Sequence, residues 1–272
     1  MKPPPALAPT PLSAESIRKM LPDGRFGHPL FYFPAVDSTN GTLRELARRG
    51  AGEGTTVVAE QQFRGRGRRG RQWFSPAGGG IYLSLLARPK LSPTKCTGIT
   101  LLTAAAVGRA IENLSGLIPE IKWPNDLLLE GRKVCGILAE SGGDDKEKRY
   151  LILGIGINVG GDYFPPNLEN QAISLRMAGA RNLDRAELIS EILGELEKFY
   201  RDFKAGGDLS QVLDFCRLHS ATIGRRVQAI GAEGKISGLA LDLEEDGGLR
   251  IRRDNGEHLV IHSGEVTLSP TG

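Results

Sequence analysis

Cysteine is scarce: Cys96, Cys135 and Cys216 are the three in 272 residues, widely spaced and without a Cys-X-X-Cys pair. An odd count at that spacing excludes a disulfide framework and a zinc site, and the three read as reduced, mostly buried thiols of a cytoplasmic protein. The four histidines, His28, His219, His258 and His262, lack metal-ligand spacing and an evident Ser or Cys partner. They read as structural or surface residues. No stretch approaches about eighteen uninterrupted apolar residues, so a membrane-spanning helix is excluded. The N-terminus, Met1-Lys2-Pro3-Pro4-Pro5, precedes no apolar run, and no secretory signal is expected. Internal repeats are absent too.

What remains is a composition of 40% hydrophobic and 25% charged residues, which excludes a disordered chain, a collagen and a coiled coil. A chain this long buries a proper core unaided, as one large domain or as a large one with a small one. The net charge of +3 hides an asymmetry. Residues 64–71 read RGRGRRGR, five arginines and no acid, so the rest of the chain is net negative. Positive charge confined to one short, glycine-interrupted stretch suits a compact anion better than a long polyanion.

The pattern predicts a Pro-rich extension over 1–25, an α+β domain over 26–221 and a small β-barrel over 222–272. Ser13 is a candidate N-cap for a short helix over 13–21. Asp37-Ser38-Thr39-Asn40 opens a second helix, with Leu43, Leu46 and Ala47 on one face and Gly50 at its end. Strands over 55–60 and 80–87 flank the arginine loop. Val107, Ala110, Ile111 and Leu114 recur at helical spacing and mark a largely buried helix over 98–115. Strands over 127–129, 133–140 and 150–159 form an antiparallel meander, turning at Glu130-Gly131 and over 142–148. Asp184 with Glu187 resembles a capping box ahead of the stripe Ile189, Ile192, Leu193, Leu196, Phe199 and Phe203. After Thr222, short β runs broken by Gly231, Asp246-Gly247-Gly248 and Asn255-Gly256 look like a barrel.

Four segments could carry chemistry. In the loop, Gly65, Gly67 and Gly70 permit close backbone approach, while Arg66, Arg68, Arg69 and Arg71 present forked donors for phosphate or carboxylate. A solvated RNA-binding tract is the alternative. In Lys122-Trp123-Pro124-Asn125-Asp126, Pro124 biases Trp123 toward an extended backbone and helps aim the lysine at an anion; a plain turn with a surface lysine is the alternative. Gly154-Ile155-Gly156-Ile157-Asn158-Val159 opens no helix, which argues against a dinucleotide fingerprint and for a strand that a ligand approaches closely. Ser38-Thr39-Asn40 is either a simple N-cap cluster or a set of donors facing a polar head group. Cys135, mid-strand and apolar, reads as inert packing.

Together the segments VDSTN (36–40), AEQQFRGRGRRGRQWFSP (59–76), GIYLSLL (80–86), KWPNDLLLEGRKVCGILAES (122–141), GIGINV (154–159) and GEVTLSP (264–270) resemble the biotin protein ligases. The resemblance runs in order over about 36–270. It implies a mixed, largely antiparallel catalytic sheet of the class II synthetase-like biotin/lipoate ligase type, followed by an SH3-like barrel. It implies ATP, Mg²⁺ and biotin as reactants, a biotinyl-5′-AMP intermediate, and a lysine of a biotin carboxyl carrier protein as acceptor. Ser38, Thr39, Asn40 and Gln62 would then surround the ureido head of biotin. Arg66, Gly67 and Arg68 would lie in a loop folding over the adenylate, with Arg71 near phosphate. Lys122 would meet the biotin carboxylate and the α-phosphate, Gly136 would pack against the ligand, and Trp73, Asn125 and Asn158 would line the nucleotide side. Lys122, Arg66 and Arg68 are the expected catalytic residues.

Phe63-Arg64 and Cys135 are bulkier than the small residues common in the family, which bears on loop packing. About 25 residues before the catalytic domain are too few for a winged helix, so the monofunctional type without specific DNA binding is expected, a homodimer being left open. Lipoate–protein ligase is the runner-up enzyme, but KWPND and GRGRRGR fit the biotin branch. An RNA-binding module gives no reason for Lys122 or Asn158.

Overall fold

Residues 80–87 carry one polar side chain, Ser84, in an otherwise apolar run, and all eight are buried in the computed structural model. Such a run makes a central strand covered on both faces. The structure describes residues 12–89, 98–143, 149–231 and 234–268; residues 1–11 and Cys96 lie outside the described residues. In chain order the elements up to the central sheet's last strand are α1 (Ala14–Met20), β1 (Leu30–Phe33), α2 (Thr39–Arg48), β2 (Thr56–Ala59), β3 (Gly80–Ala87), α3 (Gly98–Ser115), β4 (Glu120–Lys122), β5 (Asp126–Leu129), β6 (Arg132–Gly142) and β7 (Tyr150–Asn158). The sheet order is β1-β2-β3-β7-β6-β5-β4. Only β1 and β2 run parallel, joined by the α2 crossover; the other pairs are antiparallel.

Helices cover both faces. On one lie α3, α4 (Arg185–Gly206) and α1, whose Ile17 is fully buried. The long stripe of α4 includes the buried Ile189, Ile192, Leu193, Leu196 and Phe203. Burying each such side chain contributes about 1.5–3 kcal/mol before entropy is charged against it. Asp184 caps α4 by accepting from the backbone N–H of Ala186 and Glu187. On the other face lies α2 alone, packing Leu43 and Ala47 on Val57, Leu86, Tyr150 and Ile152. Being one helix, α2 leaves part of that face uncovered.

Three elements escaped the sequence reading: β1, β4 and α5 (Ser210–Leu218). The first two are four and three residues long, and their partners are distant or cross a turn. The last begins without a side-chain cap. Beyond α5, β8 (Arg226–Gly231), β9 (Gly234–Leu243), β10 (Leu249–Arg253), β11 (His258–Ile261) and β12 (Glu265–Leu268) form a second, antiparallel sheet ordered β11-β10-β9-β8-β12, the small barrel-like unit expected. Trp123 binds it to the first sheet, its backbone N–H donating to Thr222 Oγ1 and its indole N–H to the Gly247 carbonyl, each at 3.0 Å. Among the described residues no helix is long and apolar enough to cross a membrane.

Candidate active site

Strand register sets the floor of the site. Tyr82, Gly156 and Gly136 stand in one cross-strand row, Ser84, Gly154 and Leu138 in the next, and Leu86, Ile152 and Glu140 in a third. All three rows are on the α2 face. Cys135, one residue from Gly136, therefore points to the opposite face and is fully buried there, where burial pushes its thiol pKa up. The missing side chains of β7 and β6 are occupied by neighbours. A Cβ on Gly154 would lie 2.3 Å from Asn40 Oδ1, and one on Gly156 would lie 2.5 Å from Trp73 Nε1. The Trp73 indole also crosses Gly136, and its buried N–H has no hydrogen-bond partner in the described structure.

The N-terminus of α2 supplies one wall. Ser38 occupies the N-cap position but makes no side-chain cap bond, so the plain capping reading fails there. The Thr39 backbone N–H donates to Gln62 Oε1 at 2.9 Å. Ser84 Oγ lies 2.8 Å from Thr39 Oγ1 and 2.5 Å from Asn40 Oδ1, a fully buried relay between hydroxyls and amide. Asn40 Nδ2 in turn donates to Glu140 Oε2 at 2.8 Å. Both ends of that amide are thus committed within the protein.

The arginine loop is a small hairpin over the opening. Arg66 bridges Gln72, the Gly67 N–H donates to the Arg71 carbonyl at 2.7 Å, and the Trp73 N–H to the Gly65 carbonyl at 2.9 Å. Arg69 takes a left-handed φ of 55° at its tip. Glu60 pins the base: its Oε1 accepts from Arg185 Nη1 and from the Gly78 N–H, each at 2.7 Å. Phe63 and Arg64 point to solvent, so their bulk does not crowd the loop. The remaining arginines are all engaged. Arg66 meets Glu140 at 3.1 Å; Arg68 donates to Asn125 Oδ1 at 2.8 Å and to the Gly264 carbonyl at 2.7 Å; Arg69 and Arg71 both reach Glu265. Burial pushes the Arg68 guanidinium below its usual pKa, with the charges of Arg69 and Arg71 adding to the effect. Desolvation alone would raise the Glu265 carboxyl, but Arg71, Arg69 and Lys122 hold it low.

Two cavities meet here. A small pocket of about 50 Å³ is bounded by Ser38, Thr39, Asn40, Gln62, Arg66, Gly136 and Gly154. A cleft of about 610 Å³ beside it is lined by Lys122, Arg71, Asn158 and Glu265. Gly67, Arg68, Trp73, Asn125 and Lys133 line both. Every expected site residue thus borders one cavity or the other. Lys122, at the end of β4, reaches the cleft but is not among the residues around the small pocket.

Lys133 is the cation that the sequence reading passed over. Its Nζ lies 2.6 Å from Asp126 Oδ1 and 5.3 Å from the centre of the Trp73 ring. Asn158 Nδ2 donates to the Lys133 carbonyl at 3.3 Å and to that of Ile173 at 3.2 Å, which fixes the backbone beneath it. Ser84, Glu140 and Glu265 were also missed. A lone serine in the apolar run 80–87 was the one available signal.

Comparison with known proteins places the chain in a family. Residues 32–158 match the Biotin/lipoate A/B protein ligase family, and residues 222–269 match the Biotin protein ligase C terminal domain. The chain is 38% identical over 262 residues to the bifunctional ligase/repressor BirA of Bacillus subtilis, covering 96% of this chain and 80% of that one. It is 32% identical over 263 residues to the biotin–[acetyl-CoA-carboxylase] ligase of Mycobacterium tuberculosis, covering 94% and 95%. The structure of the Aquifex aeolicus biotin protein ligase in complex with biotin and ATP superposes with a TM-score of 0.76 at 31% identity, over 89% of this chain and 99% of that one. With two domain matches in order and relatives aligned over nearly the whole length, the chain belongs to the biotin protein ligase family.

Proposed function

We propose that the chain joins biotin to ATP and then passes the biotinyl group to a lysine of a biotin carboxyl carrier domain. A biotin carboxylate oxygen attacks the α-phosphorus and pyrophosphate leaves, giving biotinyl-5′-AMP. The acceptor lysine amine then attacks the acyl carbon, loses a proton, and AMP departs. The observation that carries this reading is the wall shared by the two cavities. A carboxylate seated in the small pocket and phosphates seated in the cleft would meet at Arg68 and Lys133.

Two unit negative charges at 4 Å repel by about 4 kcal/mol at an effective dielectric near 20, and the two cations offset that repulsion. In this scheme Ser38, Thr39 and Gln62 face the ureido head, Gly136 lies under the ligand, and Arg66, Gly67 and Arg68 close over it. Lys122, Arg71, Trp73, Asn125 and Asn158 serve the nucleotide. Asn40 holds the floor. Mg²⁺ would arrive with the triphosphate, whose oxygens ligate it; Asp126 and Glu265, which line the cleft, are each paired with a cation. An enzyme nucleophile is not required. The acyl-adenylate hydrolyses readily in water, so a covering loop serves the chemistry.

The division into 1–25, 26–221 and 222–272 is adopted with this scheme, and a reaction that consumes ATP fits a cytoplasmic chain. The loop arginines are engaged by Glu140, Glu265 and backbone carbonyls, an arrangement for one compact anion, and no specific DNA binding is proposed. The test is transfer of labelled biotin to a purified carrier domain. Label is expected on the carrier lysine only when ATP is present; no ATP-dependent label overturns the reading.

A further inference from the structure

We infer that Glu140 is a positioning residue that couples closure of the arginine loop to the floor of the biotin pocket. The inference rests on the ligase reading above. Three donors, two from α2 and one from the arginine loop, converge on this one carboxylate of β6. Oε2 accepts from Asn40 Nδ2 at 2.8 Å, while Oε1 lies 3.0 Å from Arg44 Nη2 and 3.1 Å from Arg66 Nη2. The Glu140 side chain is 15% exposed, against 46% for Arg66.

Each oxygen has its own task. Oε2 serves the floor. The Asn40 amide carries an acceptor and two donors that are not interchangeable. Its oxygen takes the Ser84 hydroxyl, and its nitrogen must face an acceptor, which Glu140 is. Oε1 serves the loop, holding the Arg66 guanidinium at the edge of the pocket. Arg44 keeps the carboxylate paired when Arg66 swings away, so the loop can open without leaving a mostly buried charge alone. A ligand that seats against Asn40 and is covered by Arg66 therefore reads one preset geometry, and its release requires breaking the Arg66 contact.

Glu140→Gln is the discriminating variant, because its amide oxygen still accepts from Asn40 while the charge facing Arg66 is gone. We expect KM for biotin to rise about tenfold, the weight of one charged contact. Release of biotinyl-adenylate should quicken by a similar factor, with kcat for adenylate formation at saturating biotin within about twofold of wild type. Glu140→Ala loses both tasks and should raise KM further. A residue that merely stabilises the fold would lower Tm and leave the KM and release rate alone. In a double-mutant cycle, Arg66→Gln added to Glu140→Gln should cost much less than the product of the single effects. Wild-type protein that fails to transfer biotin overturns the ligase reading. Active wild type with an unchanged KM and release rate in Glu140→Gln, or with fully multiplicative effects in the cycle, overturns the role of Glu140 alone.

Discussion

Arg68 and Gly264 join the two sheets of the molecule: the guanidinium Nη2 donates to the Gly264 carbonyl at 2.7 Å while Nη1 donates to Asn125 Oδ1. One side chain of the arginine loop thus fastens the loop to the end of the barrel-like unit and to the wall of both cavities.

Arg68→Gly removes both bonds and a charge. The variant is expected to keep some adenylate synthesis but to release biotinyl-adenylate, labelling lysines on unrelated proteins added to the reaction. In wild type, trypsin cleavage within 64–71 should slow when biotin and ATP are present. Equal cleavage with and without them, and no stray labelling by the variant, would show a static patch in place of a lid.

Lys133 borders both cavities and Lys122 only the cleft. Lys133→Ala is expected to lower the rate of adenylate formation about 10²–10³-fold, the usual effect of removing one preorganised electrostatic contact. Lys122→Ala should act mainly by raising the KM for ATP. Pyrophosphate release, measured at varied ATP and biotin, separates the two.

Glu53 predicts the acid limb of stability. Desolvation would raise its pKa, but hydrogen bonds from Lys204, Tyr200, the Arg88 backbone and Arg25 hold it at about 2. A carboxyl depressed in the folded state contributes stability above its unfolded pKa and loses it as pH falls toward the folded value. Tm should therefore drop between about pH 4.5 and 2, and Glu53→Gln should lower Tm at pH 7 while flattening that drop. Thermal melts across the pH range check both.

Cys135 and Cys216 should resist alkylation. Both are buried, and burial pushes the Cys216 thiol up to about 12 and raises that of Cys135. Iodoacetamide at pH 8 is expected to leave both unmodified in the native protein and to modify both in guanidinium chloride, read by peptide mass mapping.

The long strands and helices were legible because their periodicity is local. Residues 80–87 and 98–115 carry their signal within a single window, and the observed β3 and α3 coincide with those ranges. In β1 only four residues lie in the strand, and its parallel pairing with β2 is reached through α2, a relation no window contains. The site was legible where a residue type itself announces chemistry, as in the arginine loop. The facing of Lys133 depends on the register shift in the β5–β6 pairing at Leu127/Leu128 and that of Glu140 on the pairing of β6 with β7, and register is a property of two segments together. Asn40 was found but its task was not, since an amide already satisfied by Ser84 and Glu140 looks in sequence just like a free one.

The floor of the pocket is carved by three omissions, Gly136, Gly154 and Gly156, on two adjacent strands. At Gly154 and Gly156 a single methyl would strike Asn40, whose amide is committed at both ends, or Trp73. The tolerance of this protein to change is therefore inverted relative to its chemistry. In a saturation scan read out by biotin transfer, alanine at these inert positions should score as badly as loss of an arginine from the loop. Any attempt to refit the enzyme to a bulkier ring system has no side chain to trim there, and must win its space from Trp73.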